Sequence, residues 1–166
     1  MKNLKEQIVD FIKKDKDFTV AEISKHLGVK ESEVLLNLPK ETATVADGKE
    51  FDKIIQEVEN WGEVLVIKVT PSFIFEIRTK IPKGHYDYGF YNFDHHSALS
   101  GHLKADDIDK IVFLSAKVVM GMLSHCILFL DKNGDDIFKI YVARDEKNDF
   151  LPHQLEAFLK LKQLYE

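Results

Sequence analysis

The segment from residue 83 to residue 104 concentrates side chains that can bind metal ions. It reads KGHYDYGFYNFDHHSALSGHLK and carries four of the seven histidines of the chain, His85, His95, His96 and His102. Imidazole and phenolate groups ligate iron, and a flat apolar cofactor needs apolar or aromatic walls. The segment is therefore a candidate site for an iron-bearing flat cofactor, with Tyr88 and Tyr91 among its aromatic residues.

Other interpretations of the same residues stay open. Aromatic side chains on strands usually pack in a core. The pair His95-His96, beside Asp94 and Ser97, is typical of a solvated turn. Zinc is a further alternative ligand, although no two histidines here have H-x-x-x-H spacing and no cysteine lies among them.

His102 is the strongest candidate for an iron ligand among the histidines. Gly101 precedes it and lets a planar ligand approach the backbone closely. Leu99 and Leu103 flank it, so we expect its imidazole to lie in a dry pocket. The alternative is a core histidine that is hydrogen-bonded to a carbonyl group. His125 enters an apolar strand and is expected to be packed or paired.

The elements that must position these residues begin with helices in the first forty residues. Thr19, with Glu22 three residues later, predicts a capped helix that ends at Gly28. A third helix is predicted from Glu31 to Leu38. This succession is typical of a helix-turn-helix, so a DNA-binding regulator is one hypothesis. A three-helix packing unit is the alternative, because glutamates in the third helix would face phosphates.

From residue 50 the pattern changes to one further helix and then to strands. Short β-branched and aromatic runs alternate with turn residues, and Asn133-Gly134 predicts a hairpin. Pro152 stands in the first turn of a predicted C-terminal helix. Repeated crossover helices do not fit between the strands. We therefore predict an α+β fold with a large antiparallel sheet, built from a helical part, residues 1–40, and an α+β domain, residues 41–166, as one structural unit.

Composition and charge restrict the classes of function. Apolar residues make up 45% of the chain and charged residues 31%, as in ordinary globular proteins. The formal net charge of −5 disfavours a nucleic-acid partner, because phosphate binding needs a concentrated basic face. The single Cys126 excludes an internal disulfide. With no signal peptide or spanning segment recognised, we expect a cytoplasmic protein without stable membrane insertion.

Eight short segments, in order along nearly the whole chain, together resemble the HutX/ChuX group of haem-utilisation carrier proteins. They are Asn37 to Pro39, Trp61-Gly62, Phe75-Glu76, residues 81–93, Ser100 to Leu103, Val118 to Met122, residues 127–145 and residues 154–161. The resemblance implies a cytoplasmic homodimer that binds haem taken up by bacteria and passes it to a haem-degrading enzyme. It also implies an α+β subunit equivalent to half of a two-repeat haem-trafficking protein.

A haem-degrading or haem-reducing enzyme is the alternative function. The chain has no flavin or nicotinamide fingerprint, so such an enzyme needs an external reductant. The resemblance assigns His102 to a haem-ligand position of some relatives. A second ligand position, histidine in some relatives, corresponds to Val69, and valine cannot ligate iron.

The sequence therefore leaves the second iron ligand undetermined. His85, Tyr86, Tyr88 or Tyr91 could take the place of the missing ligand, or the iron is five-coordinate. Cations for the haem propionates are sought near the aromatic segment. The candidates are Arg78, Lys80, Lys83 and Lys104. Arg144 follows a predicted strand and is instead expected to pair with an acidic side chain.

Overall fold

The computed structural model describes residues 1–119 and 121–166. Met120, within the segment Val118 to Met122 that resembles the haem carriers, lies outside the described residues. The five α-helices are α1 (Leu4–Lys14), α2 (Val20–Leu27), α3 (Glu31–Leu35), α4 (Phe51–Val58) and α5 (Pro152–Leu164). No helix in these described ranges is both long and apolar enough to cross a bilayer.

The strands form two antiparallel sheets. They are β1 (Ala43–Asp47), β2 (Glu63–Thr70), β3 (Phe73–Lys80), β4 (Gly84–Asp87), β5 (Phe90–Phe93), β6 (Gly101–Leu103), β7 (Lys110–Val119), β8 (Met122–Leu130) and β9 (Asp136–Tyr141). The large sheet has the order β1-β7-β8-β9-β2-β3, and the small sheet has the order β4-β5-β6. The predicted α+β class with a large antiparallel sheet is confirmed.

The two faces of the large sheet cover different parts of the core. Strand alternation sends Val64 and Val66 to one face and Leu65 and Ile67 to the other. The first face packs against α4, α5 and the small sheet. Helices α1, α2 and α3 cover the second face where it is formed by β1, β7 and β8. The N-terminal helices therefore share a core with the sheet.

The helix-turn-helix segment packs on a hairpin of the sheet. Thr19 caps α2 through Glu22, as predicted, and α3 ends at Leu35, three residues before the predicted end. Ser32 of α3 is buried, and a Cβ atom at Gly134 would lie 2.3 Å from its hydroxyl oxygen. Helix α3, which would be the recognition helix of a DNA-binding protein, therefore contacts the β8–β9 hairpin through its first turn. This contact supports the interpretation of the three helices as a packing unit.

Sequence patterns identified most strands but not all of them. Asn133-Gly134 does lie in the turn of an antiparallel hairpin, because β8 pairs with β9. Strands β1 and β4 were not predicted. Strand β1 is an edge strand of five residues with two alanines, so its pattern is weak. The division into residues 1–40 and 41–166 stays a prediction.

Two buried polar side chains attach α5 to the rest of the domain. Gln154 is 1% exposed; its amide nitrogen donates to the carbonyl of Trp61 at 3.0 Å, and its amide oxygen accepts from the amide of Ala143 at 2.9 Å. The ammonium group of Lys162 donates to the carbonyl oxygen of Glu41. Lys162 is 4% exposed and thus continues the inner side of the helix.

Trp61 is structural, and its replacement tests this assignment. The ring is 3% exposed and meets Phe158 edge to face, and its Nε1 has no hydrogen-bond partner in the described part of the chain. We expect Trp61→Ala to lower the free energy of unfolding by about 3–5 kcal/mol. Trp61→Phe should lower the free energy of unfolding clearly less than Trp61→Ala, because phenylalanine keeps an aromatic ring and removes the unpaired N–H. Urea unfolding measures both; an unchanged midpoint in Trp61→Ala contradicts the assignment.

We expect His125 to make stability depend on pH. Its Nδ1 lies 2.8 Å from the hydroxyl of Ser115, and its ring packs against Phe150 and Phe158. Burial, followed by the charges of Lys162 and Arg144, holds the pKa of His125 below its ordinary value. The unfolded chain therefore binds a proton that the folded chain resists.

We expect the free energy of unfolding to fall as the pH drops below about 6.5, where an unfolded histidine becomes protonated. His125→Gln should flatten this dependence, because glutamine keeps a polar partner for Ser115 and does not titrate. Unfolding curves at a series of pH values measure the effect. An equal slope in both proteins would show that another group is responsible.

Candidate functional site

The small sheet lines up three polar side chains on its outer face. In the pairing of the strands, Asn92 stands opposite His85 on β4 and opposite His102 on β6. Residues directly opposite in a ladder point to the same face of a sheet. A row His85–Asn92–His102 therefore crosses the small sheet, and both histidines are exposed.

The inner face of the same sheet is part of the core. Tyr91 is 5% exposed, and its ring meets Phe51, Tyr86 and Phe93 edge to face. Burial, followed by the charge of Glu59, raises the pKa of Tyr91 to about 12. A cofactor on the outer face cannot reach this ring, so our expectation that Tyr91 contacts a cofactor is corrected: strand alternation turns Tyr91 inward.

Gly84 is required for this burial. A Cβ atom at Gly84 would lie 2.2 Å from the ring of Tyr91. No side chain other than hydrogen leaves space for the tyrosine at that point of β4. The glycine thus lets Tyr91 lie flat on the strand, which fixes the orientation of β5 and of Asn92 on its other face.

Tyr88 lies at the tip of the β4–β5 hairpin. Tyr88 and Gly89 form the two-residue turn, and Tyr88 has a φ angle of 53°. Left-handed backbone is unfavourable for a bulky side chain, and asparagine or glycine is usual at this position of a turn. The ring is 91% exposed. Strain at an exposed aromatic residue is typical of functional positions.

His102 is exposed and its ring orientation is fixed. Its Nδ1 lies 2.5 Å from the side-chain oxygen of Asn92, and its ring stands 6.0 Å from the ring of Phe90, edge to face. The expected dry pocket is not found, because alternation on β6 turns Leu103 into the core and His102 outward. The remaining ring nitrogen, Nε2, faces away from Asn92.

The histidines of the row cannot both ligate one iron of a planar cofactor. They belong to strands that are two apart, which puts their backbones roughly 9.5 Å from each other. Two axial ligands must approach the metal from opposite sides, whereas His85 and His102 stand side by side on one face. One of them can be the ligand, and the other can contact the rim of the cofactor.

Arg78 lies elsewhere. It pairs with Leu65, and both belong to the face of the large sheet that is opposite the small sheet. There Arg78 lines a groove of about 270 Å³ with Tyr141 and Arg144. The structure therefore does not bring Arg78 together with His85, Tyr88 and His102 in one subunit.

Arg144 is held by carbonyl oxygens. Its guanidinium donates to the carbonyl oxygen of Asn148 at 2.8 Å and to that of Leu123, and it lies 3.9 Å over the ring of Phe150. Val69, the residue at the second ligand position, is 40% exposed on the same side of the large sheet as Arg78. Neither residue adds an iron ligand to the small sheet.

A second group of donors lies in the loop after β5. Donor atoms of Asp94, His95 and His96 all lie within 4.8 Å of one another, and all three residues are exposed. The amide of His96 donates to the carboxylate of Asp94 at 3.1 Å. This is the polar, exposed turn that the sequence indicated.

Sequence reasoning missed Asn92. The aromatic run FYNF drew attention to its rings, and the one amide within it gave no pattern of its own. The signal was the alternation of the strand, since the residue between two inward rings must point outward. Only the pairing with β6, however, identifies His102 as the partner of that amide.

Comparison with known proteins places the chain in a family. The sequence model of the family described as "Haem utilisation ChuX/HutX" matches residues 44–161. The chain belongs to this family. Among its relatives is the "Intracellular heme transport protein HutX" of Vibrio cholerae serotype O1, which is 32% identical over 98% of this chain and 84% of the relative.

Solved structures of similar proteins have the same fold over nearly the whole chain. A protein from Erwinia carotovora is 30% identical with a TM-score of 0.85, and all of both chains is covered. The structure described as that of the heme binding protein ChuX is 32% identical with a TM-score of 0.83, covering 99% of this chain and 100% of that one.

A longer protein shares the fold at low identity. Holo-PhuS from Pseudomonas aeruginosa has a TM-score of 0.69 at 16% identity, and the match covers 83% of this chain but 40% of PhuS. The likeness concerns the fold alone. It confirms that this family member corresponds to one half of a larger two-repeat architecture.

Proposed function

We propose that this protein is an intracellular haem carrier of bacterial haem uptake, which binds haem as cargo and passes it to a haem-degrading enzyme. The observation that carries the proposal is the exposed imidazole of His102, whose Nδ1 is bound by Asn92, which leaves Nε2 as the nitrogen that would ligate an iron. The likeness to HutX and ChuX, whose names state haem transport and haem binding, supports it.

The surroundings of His102 suit a haem. Phe90 stands beside the imidazole, and Tyr88 presents an exposed ring at the end of the same hairpin. Lys83 and Lys104 are exposed next to the ends of β4 and β6 and are our candidates for the propionates. His85 is the candidate for a contact at the rim. Arg78 is not a candidate for a contact with this haem in the same subunit, because it lies on the opposite face of the large sheet.

An exposed ligand favours a carrier over an enzyme. Haem oxidation needs a site that controls access of oxygen and excludes water. A carrier, in contrast, must let a second protein reach the haem and take it. His102 lies on the outer face of a three-stranded sheet, where an acceptor can approach. A stable Soret band in the presence of reductant and oxygen is expected, whereas bleaching would favour the enzyme.

Replacement of His102 tests the ligand. We expect His102→Ala to shift the Soret band and to weaken haem binding about 10- to 100-fold, since it removes the axial imidazole. His153→Ala is the matched control, because it removes an exposed histidine of α5 that belongs to neither group of donors. Haem titration followed by absorbance measures both. Unchanged binding in His102→Ala, with a changed spectrum in His85→Ala or Tyr88→Phe, assigns the ligand to those residues instead.

We also propose that the protein is a homodimer through the edge of the large sheet. Strand β3 ends the order of that sheet and has eight residues. Three apolar side chains at its start are strongly exposed: Phe73 at 63%, Ile74 at 61% and Phe75 at 45%. A long apolar edge strand associates with another chain unless it is covered. A second copy covers it in this proposal.

Sedimentation tests the dimer. At roughly 20 µM, well above typical specific-dimer dissociation constants, the wild type should sediment as a dimer. The double variant Phe73→Glu, Phe75→Glu should sediment as a monomer, because it places two charges on the edge. Leu164→Glu, at a residue that is 69% exposed on α5, is the control and should stay dimeric. A monomeric wild type contradicts the proposal.

A further inference from the structure

We propose that Asn92 is a positioning residue that holds His102 in the tautomer with the proton on Nδ1 and so keeps Nε2 free for iron. The part of this inference that concerns iron rests on the proposed function. The part that concerns the tautomer rests on the geometry of the apo chain. Strand alternation turns this amide outward, and its role follows from its contacts.

The orientation of the amide is determined by its nitrogen. The Nδ2 atom of Asn92 lies 3.2 Å from the carbonyl oxygen of His85, 3.1 Å from that of Asp87 and 3.1 Å from that of Phe90. All three partners are acceptors only, so an amide oxygen cannot take this place. The amide is therefore not free to flip, and Oδ1 must point toward β6.

The proton on His102 follows from that orientation. The Oδ1 atom accepts and cannot donate, and it lies 2.5 Å from Nδ1 of His102. A neutral imidazole can make this contact only when Nδ1 carries the proton. The lone pair is then on Nε2, which is the ring nitrogen that Asn92 does not contact. A neutral histidine in this tautomer is ready to ligate a metal without proton rearrangement.

The acceptor for Nδ1 of His102 is an uncharged amide oxygen, and this choice affects how strongly the histidine binds iron. A carboxylate in the place of Asn92 would draw the Nδ1 proton more strongly and make the imidazole a stronger electron donor to iron. An amide orients the ring with less effect on its basicity. Asn92 thus gives His102 a fixed direction while leaving its bond to iron weaker than a carboxylate would. A protein that must release its haem benefits from that combination.

Two variants separate the acceptor from the structural role of the amide. Asn92→Asp and Asn92→Leu both lose the N–H groups that bond the three carbonyls, and the aspartate also brings a carboxylate oxygen close to these carbonyls. Only the aspartate keeps an acceptor for Nδ1 of His102. The aspartate therefore carries the larger structural cost, so an Nδ1–H tautomer that is kept in Asn92→Asp and lost in Asn92→Leu reports the acceptor, and melting temperatures show whether each variant folds.

The first measurement uses the apo protein. Long-range 1H–15N NMR spectra report which ring nitrogen carries the proton. We expect the Nδ1–H tautomer of His102 to dominate in the wild type and in Asn92→Asp, and a mixture of both tautomers in Asn92→Leu. An Nε2–H tautomer in the wild type overturns the proposal. An unchanged tautomer in a folded Asn92→Leu overturns it as well. If Asn92→Leu does not fold, loss of the Nδ1–H tautomer in Asn92→Ala replaces that arm.

The second measurement uses ferrous haem and resonance Raman spectroscopy. We expect the iron–histidine stretching frequency to rise in the order Leu, Asn, Asp at position 92, and haem binding by Asn92→Leu to weaken about 10-fold or more. Equal frequencies in all three proteins, with the tautomer shift present in the apo spectra, mean that another residue ligates the iron. That result overturns the role of His102 in the proposed function and leaves the tautomer assignment intact.

Discussion

The burial of Tyr91 is the constraint on which the candidate site depends. Strand β5 has four residues, and Tyr91 and Phe93 occupy its inner face. Because alternate residues of a strand point in opposite directions, that burial turns Asn92 outward. The register of the two ladders then sets His85 and His102 on either side of it. A slip of one residue would bury the amide and expose the tyrosine.

The large sheet provides the rigid support for this small one. Its β2 strand contributes valines to the core beneath the small sheet and leucine and isoleucine to the opposite face. Gln154 ties the C-terminal helix to the chain just before β2. The small sheet is thus held by packing from below while its outer face stays accessible, which is what a surface ligand for cargo requires.

The same architecture separates groups that the sequence suggested together. Arg78 and Val69 lie on the far face of the large sheet, and His85 and His102 lie beyond its near face. In the proposed function, a haem held by His102 would draw its environment from the hairpin β4–β5, from the loops at its ends and from any second chain that binds there. In the proposed site, the fixed imidazole and the exposed aromatic residue are the features of one subunit that would select a flat metal-bearing ligand.

The sequence by itself determined the fold class, the C-terminal helix, the β8–β9 hairpin and the family, because these depend on local periodicity, turn residues and short segments in a fixed order. It also singled out His102. It did not predict strands β1 and β4, whose short patterns gain stability only from their neighbours.

Which aromatic residue is core and which is exposed was decided by tertiary structure. Tyr88 and Tyr91 look equivalent in the sequence, and only the packing of one against Phe51 and the turn position of the other distinguish them. The partnership of Asn92 with His102 joins residues ten apart through strand pairing. Long-range register is set by the burial of whole faces, and no local pattern specifies it.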